Sequence, residues 1–166
     1  MTNTTPVTPT HYPPQYPAER PDNEALLKLY LGIAVKAMRE HGAIVAEVEY
    51  SGGGDEGNVD TVTLYGVDNA LMDEKLLERV GVPFWDQKMK NGAWESVLNI
   101  RQITLNELLS WMIHDLALEF YDHNGYWNNE GGYGTLTIST EGSGELTLDH
   151  NDYVQETVSR TNSMAL

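Results

Sequence analysis

Two stretches of this 166-residue chain repeat one pattern, an amphipathic helix followed by two alternating strands. That repetition limits the fold more than any other feature. In the first stretch Leu26, Leu27, Tyr30, Leu31, Ala34, Ala37 and Met38 recur at helical spacing, which predicts a helix over 23–40. Asp22 or Asn23 caps its start just after Pro21, and Gly42 sits where a left-handed turn ends it. Ile44, Ala46, Val48 and Tyr50 then alternate with Glu47 and Glu49, a strand with one buried and one wet face. Ser51 to Asn58 is a Gly-rich turn, and Val59 to Tyr65 alternates again as the antiparallel partner. In the second stretch Thr104 and Glu107 form a capping-box pair. Leu105, Leu108, Leu109, Met112, Ile113, Leu116 and Phe120 trace one helical stripe through 121. After an Asn- and Gly-rich loop, 133–140 and 145–150 make a second hairpin around Glu141-Gly142-Ser143-Gly144. The simplest packing is α+β: a four-stranded, mainly antiparallel sheet from two helix–hairpin halves, with the helices packed on one face.

Three regions of different composition flank or contain this pattern. Residues 1–22 hold six of the seven prolines among Thr, Asn and Tyr, and read as a disordered Pro/Thr-rich leader. Residues 23–155 form the single α+β domain. Residues 156–166 are polar and read as a frayed C-terminal tail. Within the middle insert, 69–80 is expected to form a short helix closed by Gly81, with Val82-Pro83 forcing extension beyond it. Residues 84–103 take no assigned class. The N-terminus lacks the apolar core of a signal peptide, and no run of 18 apolar residues occurs. The expectation is a cytoplasmic protein without membrane contact.

Charge limits the partners. Ten Lys and Arg face 25 Asp and Glu, for a formal net charge of −15. Phosphate binding needs concentrated cations, so direct nucleic-acid binding is not expected. With no cysteine, disulfides, zinc–thiolate sites and cysteine nucleophiles are excluded. No Lys or Arg lies between Glu40 and Glu74, or between Gln102 and Ser159. If the four strands share a sheet, Glu47, Glu49, Asp60, Glu145 and Asp149 point outward together and make one negative face. Such a face suits a basic protein surface, occupied by the electrostatics that DNA uses.

Two loops add candidates. Ser51 to Asp60 carries three consecutive glycines with Asp55, Glu56, Asn58 and Asp60, oxygen donors of the kind Ca or Mg takes, though not at EF-hand spacing. Asn124 to Gly134 combines Trp127, Asn128, Asn129 and Tyr133 with glycines, an aromatic and amide patch suited to partner recognition. His114 and His123 lie nine residues apart, which turns their rings to opposite sides of a helix and argues against a shared metal. His150 joins either of them only through tertiary structure. The chain has no Gly-x-Ser-x-Gly elbow and no nucleotide fingerprint.

Tyr50-Ser51-Gly52-Gly53-Gly54-Asp55-Glu56-Gly57, Trp127-Asn128-Asn129-Glu130-Gly131-Gly132-Tyr133-Gly134 and Leu146-Thr147-Leu148-Asp149-His150-Asn151 carry a resemblance. Over about 25–155 the chain resembles a family of small acidic bacterial domains of unknown function, met on mobile elements. The Trp-Asn-Asn-x-Gly-Gly-x-Gly loop is its most specific part. The resemblance brings no assigned reaction. It implies a setting in which acidic inhibitors of restriction or CRISPR machinery are common.

The expected function is therefore a non-enzymatic, acidic protein-interaction module, without a cofactor. It would act as an inhibitor or accessory factor covering a basic nucleic-acid-binding surface of a host or defence protein. Its contact residues would be Glu47, Glu49, Asp55, Glu56, Asp60, Trp127, Asn128, Asn129, Tyr133, Glu145 and Asp149. The alternative is a protein or hydrolase that binds Ca or Mg through the Gly/Asn/Asp loops.

Overall fold

The computed structural model of the protein describes residues 16–53, 56–123, 131–153 and 158–166. Helix α1 spans Asn23–Glu40, and the Asp22 carboxylate accepts from the Ala25 amide. Its end turns at Gly42, φ +80°, with the Ala43 amide donating to Met38 O. Strands β1 (Val45–Gly53) and β2 (Glu56–Tyr65) pair antiparallel. Strands β3 (Arg79–Lys90) and β4 (Ala93–Thr104) form a long separate hairpin. Helix α2 begins with Leu105–Trp111 under the predicted Thr104–Glu107 capping box. It runs on through a π-helical stretch, Met112–Ala117, to a last turn, Leu118–Phe120. Strands β5 (Gly132–Ser139), β6 (Glu145–Asp152) and β7 (Val158–Ala165) complete the order.

The main sheet is antiparallel in the order β2-β1-β5-β6-β7. One side of it is apolar: Ala46, Val48, Leu64, Leu136, Ile138, Leu146 and Leu148 are buried with the stripes of both helices in a single core. That burial is the main stabilising term, each large apolar side chain contributing about 1.5–3 kcal/mol. Among the described residues no helix is long and apolar enough to cross a membrane.

The expected α+β fold, a four-stranded sheet built from two helix–hairpin halves, is overturned: among the described residues the chain is mostly β. The main sheet has five strands, a second sheet has two, and α1 and α2 are the helices longer than a few turns' fragments among the described residues. The fifth strand is β7, which lies where the tail was expected to fray. Its amides and carbonyls complete the ladder along β6, from Glu145↔Ala165 to Asp152↔Val158. Residues 84–103, which local pattern does not classify, belong to the β3–β4 hairpin. Tyr30 anchors it from α1 by donating to Pro83 O at 2.6 Å, with Phe84 and Trp111 packed on its ring. The helix expected over 69–80 is absent. A first 3₁₀ turn covers only Val67–Asn69, with Asp68 and Asn69 at φ +56° and +58°, off the helical path. A second 3₁₀ turn covers Asp73–Leu77.

Candidate functional site

Strand alternation and ladder register decide which side chains share the solvent face. One row crosses the whole sheet as Thr61, Glu49, Thr135, Asp149 and Thr161. The next reads Thr63, Glu47, Thr137, Thr147 and Ser163. A third ends in Ser139, Glu145 and Ala165, and a fourth holds Asn58, Ser51, Tyr133, Asn151 and Ser159. Glu47, Glu49, Glu145 and Asp149 therefore stand on one face, and no Lys or Arg occurs in these rows. Strand spacing sets the β1 and β6 carboxylates about 9.6 Å apart, two ladder steps of 4.8 Å.

Hydroxyl groups hold two of these carboxylates in place. Thr61 Oγ1 donates to Glu49 Oε2 at 2.7 Å, and Thr161 Oγ1 donates to Asp149 Oδ1 at 2.5 Å. A carboxylate that is hydrogen-bonded before contact loses less conformational freedom when a cation arrives. The Lys and Arg of the β3–β4 hairpin belong to the other sheet. There Arg101 pairs with Asp86 and stacks over Phe84.

The remaining predicted contacts are placed unevenly. Tyr133 lies on the outer face, 40% exposed, with its ring 5.3 Å from that of Tyr153. Glu56 is exposed at the start of β2. Asp60 is exposed but lies outside the rows. The register shifts between Glu49 and Tyr50, so Asp60 is the extra residue of a β-bulge on an edge strand. Asp55, Trp127, Asn128 and Asn129 lie outside the described residues. Among the described residues no group of three His, Asp or Glu side chains comes together as a metal site.

Beneath the outer face lies a polar row that the sequence reading missed. On the helix side of the sheet one ladder row reads Val59, Tyr50, Gly134, His150 and Arg160. Tyr50 is 1% exposed and His150 is fully buried. Tyr50 Oη lies 2.6 Å from His150 Nδ1, and His150 Nε2 lies 2.8 Å from Asp152 Oδ1. The carboxylate only accepts, so Nε2 carries the proton and Nδ1 accepts from the Tyr50 hydroxyl. Arg160 Nη1 closes the chain on Asp152 Oδ2 at 3.2 Å.

Tyr50 and His150 sit on strands that are not neighbours. They meet because the residue between them is Gly134, where a methyl group would overlap the Tyr50 hydroxyl and the Asp149 carbonyl. Gly131, φ +99°, is equally constrained: a methyl group there would overlap Gly52 O. The two Gly-rich segments thus adjoin, with Gly52 opposite Gly132 in the ladder.

Helix α2 brings His114 to this row and the turn after it brings His123, which has left the helix and so does not point to the opposite side. His114, in the π-helical stretch, sets its ring edge-on to Tyr50, with centroids 6.2 Å apart. His123 stacks on His150 at 4.7 Å and bonds Asn162 of β7 through Nε2 at 2.7 Å. Burial pushes His150 below the ordinary histidine range, against the opposing pull of Asp152. Burial also lowers His114, again against a carboxylate, that of Asp115. The signal that could have found His150 is its period-two spacing from the buried Leu146 and Leu148. Asp152 is local to it, but Tyr50 comes from β1 and His123 from the turn after α2, which no local pattern links.

A family model described as a family of unknown function (DUF6878) matches residues 32–164, from the middle of α1 to the end of β7. No curated protein matches the chain, and no solved structure matches it.

Proposed function

The chain belongs to that family of unknown function, which supplies no activity, and from its own geometry we propose that it is an acidic protein-interaction module. Its outer sheet face receives a basic protein surface, one that otherwise binds nucleic-acid phosphate. The observation that carries this reading is the grouping of Glu47, Glu49, Glu145 and Asp149 on one rigid face without a Lys or Arg among them. A β-sheet fixes their spacing, and Thr61 and Thr161 fix two of the carboxylates. Complementary potential of this kind speeds encounter and selects cationic partners. The inhibitor role toward host or defence machinery, and the mobile-element setting that the resemblance implies, belong to this proposal.

The test is displacement of a labelled DNA duplex from an arginine-rich peptide, followed by fluorescence anisotropy. The protein is expected to strip the peptide from DNA, with an affinity that falls steeply as salt rises. Glu47→Lys, Glu49→Lys and Asp149→Lys together should abolish the displacement. Asp68→Lys, Glu74→Lys and Glu95→Lys make the same change in net charge away from this face. Equal loss in both variants would show that bulk charge, not the sheet face, holds the peptide.

A further inference from the structure

The two edges of the main sheet are built differently. At the β2 edge the ladder is interrupted by the Asp60 bulge. The following segment then folds back over its end. Leu71 bridges Tyr65, the Met72 amide donates to Leu64 O at 2.8 Å, and Asp73 Oδ1 accepts from the Leu64 amide at 3.2 Å. Bulges, charges and covering segments are the usual ways of closing an edge to further strands. Among the described residues the β7 edge has neither a bulge nor a covering segment. Its eight residues run in unbroken register with β6, without proline or bulge, and among the described residues no strand pairs with its other side. Ser159, Thr161, Ser163 and Ala165 are exposed along it. Its one charge, Arg160, is tied to Asp152.

We propose that β7 is an assembly edge, and that its occupant is β7 of a second copy, antiparallel across a two-fold axis. The strand is self-complementary. Centred on Thr161, the pairing sets Ser159 against Ser163 and Arg160 against Asn162 of the second copy, with no like charges opposed. Cross-strand Ser and Thr pairs are favourable contacts in antiparallel sheets. An acidic chain normally repels its own copies, yet β7 contains no Asp or Glu. The sheet acid in the row of the axis, Asp149 on β6, would lie three strand spacings from its counterpart, about 14 Å. That exceeds the Debye length of roughly 8 Å at physiological salt. A closed two-fold contact also uses up both free edges, where a head-to-tail contact would leave one open. The outer faces of both copies then lie on the same side of one ten-stranded sheet. This pairing does not depend on what the acidic face binds.

The absence of cysteine makes the test direct. Antiparallel pairs have Cα separations of about 4.5–5.5 Å, within disulfide range. Thr161→Cys should therefore give a disulfide-linked dimer on mild oxidation. Ser159→Cys and Ser163→Cys should cross-link when mixed but not singly. Sedimentation of the unaltered chain should give twice the chain mass, and Thr161→Lys, which opposes two ammonium groups, should restore the single mass. A monomer over a wide concentration range overturns the proposal. So does a dimer that persists in Thr161→Lys, or oxidation of the control Ser96→Cys as complete as that of Thr161→Cys.

Discussion

The five-stranded sheet presents the same backbone to two very different environments. One residue apart along the same strands, Glu49 stands in water while Tyr50 is buried, and Asp149 is exposed while His150 is inaccessible. On the outer face polar groups are many, short and bonded only to close neighbours. On the inner face they are few, and Tyr50, His150, Asp152 and Arg160 form one continuous chain. The difference teaches where stability and recognition are separated. Buried polar groups carry a large penalty if a partner is removed, whereas exposed carboxylates contribute little to folding and remain open for contact.

Substitutions break that comparison in order of size. Gly134→Ala should have the greatest effect, because the added methyl group forces Tyr50 away from His150 in a site that cannot expand. A loss of about 3 kcal/mol or more is expected, at the upper end for overpacking, read as a lower urea midpoint. Tyr50→Phe removes the donor to His150 Nδ1 and should cost about 1–3 kcal/mol in the same assay. An unchanged midpoint for Tyr50→Phe would show that the buried chain is not cooperative.

The pH response sharpens the contrast. His114 and His150 hold lower pKa values in the folded protein than the ordinary value of about 6.5. Between the folded and unfolded values the unfolded chain binds more protons. Stability is therefore complete above about pH 6.5 and falls as pH drops through 6.5 toward the folded values. Urea midpoints between pH 7.5 and 5 should show this fall, and His114→Gln should make it shallower. Smallest of all is the outer face. Glu47→Gln and Thr135→Val should each change stability by no more than about 0.5 kcal/mol. Glu47→Gln should still weaken the arginine-rich peptide. A large stability loss there would make the acidic rows structural.

Local periodicity made α1, α2 and four of the sheet strands legible, because their apolar residues alternate at the spacing of the element they form. It also set the facing of Glu47, Glu49, Glu145 and Asp149. It did not show β7. Where an apolar alternation would have marked that strand, Arg160 and Asn162 take inner positions and bond the Asp152 and His123 side chains instead. The β3–β4 hairpin was hidden for another reason. Val82, Phe84 and Trp85 are apolar on both sides of the strand, and Pro83 argues against a paired segment, though here its carbonyl serves Tyr30. Alternation assigns Asp60 to the outward row, but a one-residue bulge removes it from the ladder.

The gap at Gly134 has a consequence for how the two hairpins align. A sheet slipped by two residues between β1 and β5 would keep every apolar residue on its proper side and nearly all its backbone bonds. Hydrophobic patterning alone cannot tell that state from the native one. Contact between Tyr50 and His150 can, since only the native alignment sets Tyr50 level with His150 across Gly134, whereas a slip to Gly132 would set it level with Asp152. The buried pair thus acts as a gauge for sliding, and the spacing of carboxylates on the opposite face inherits its accuracy from it.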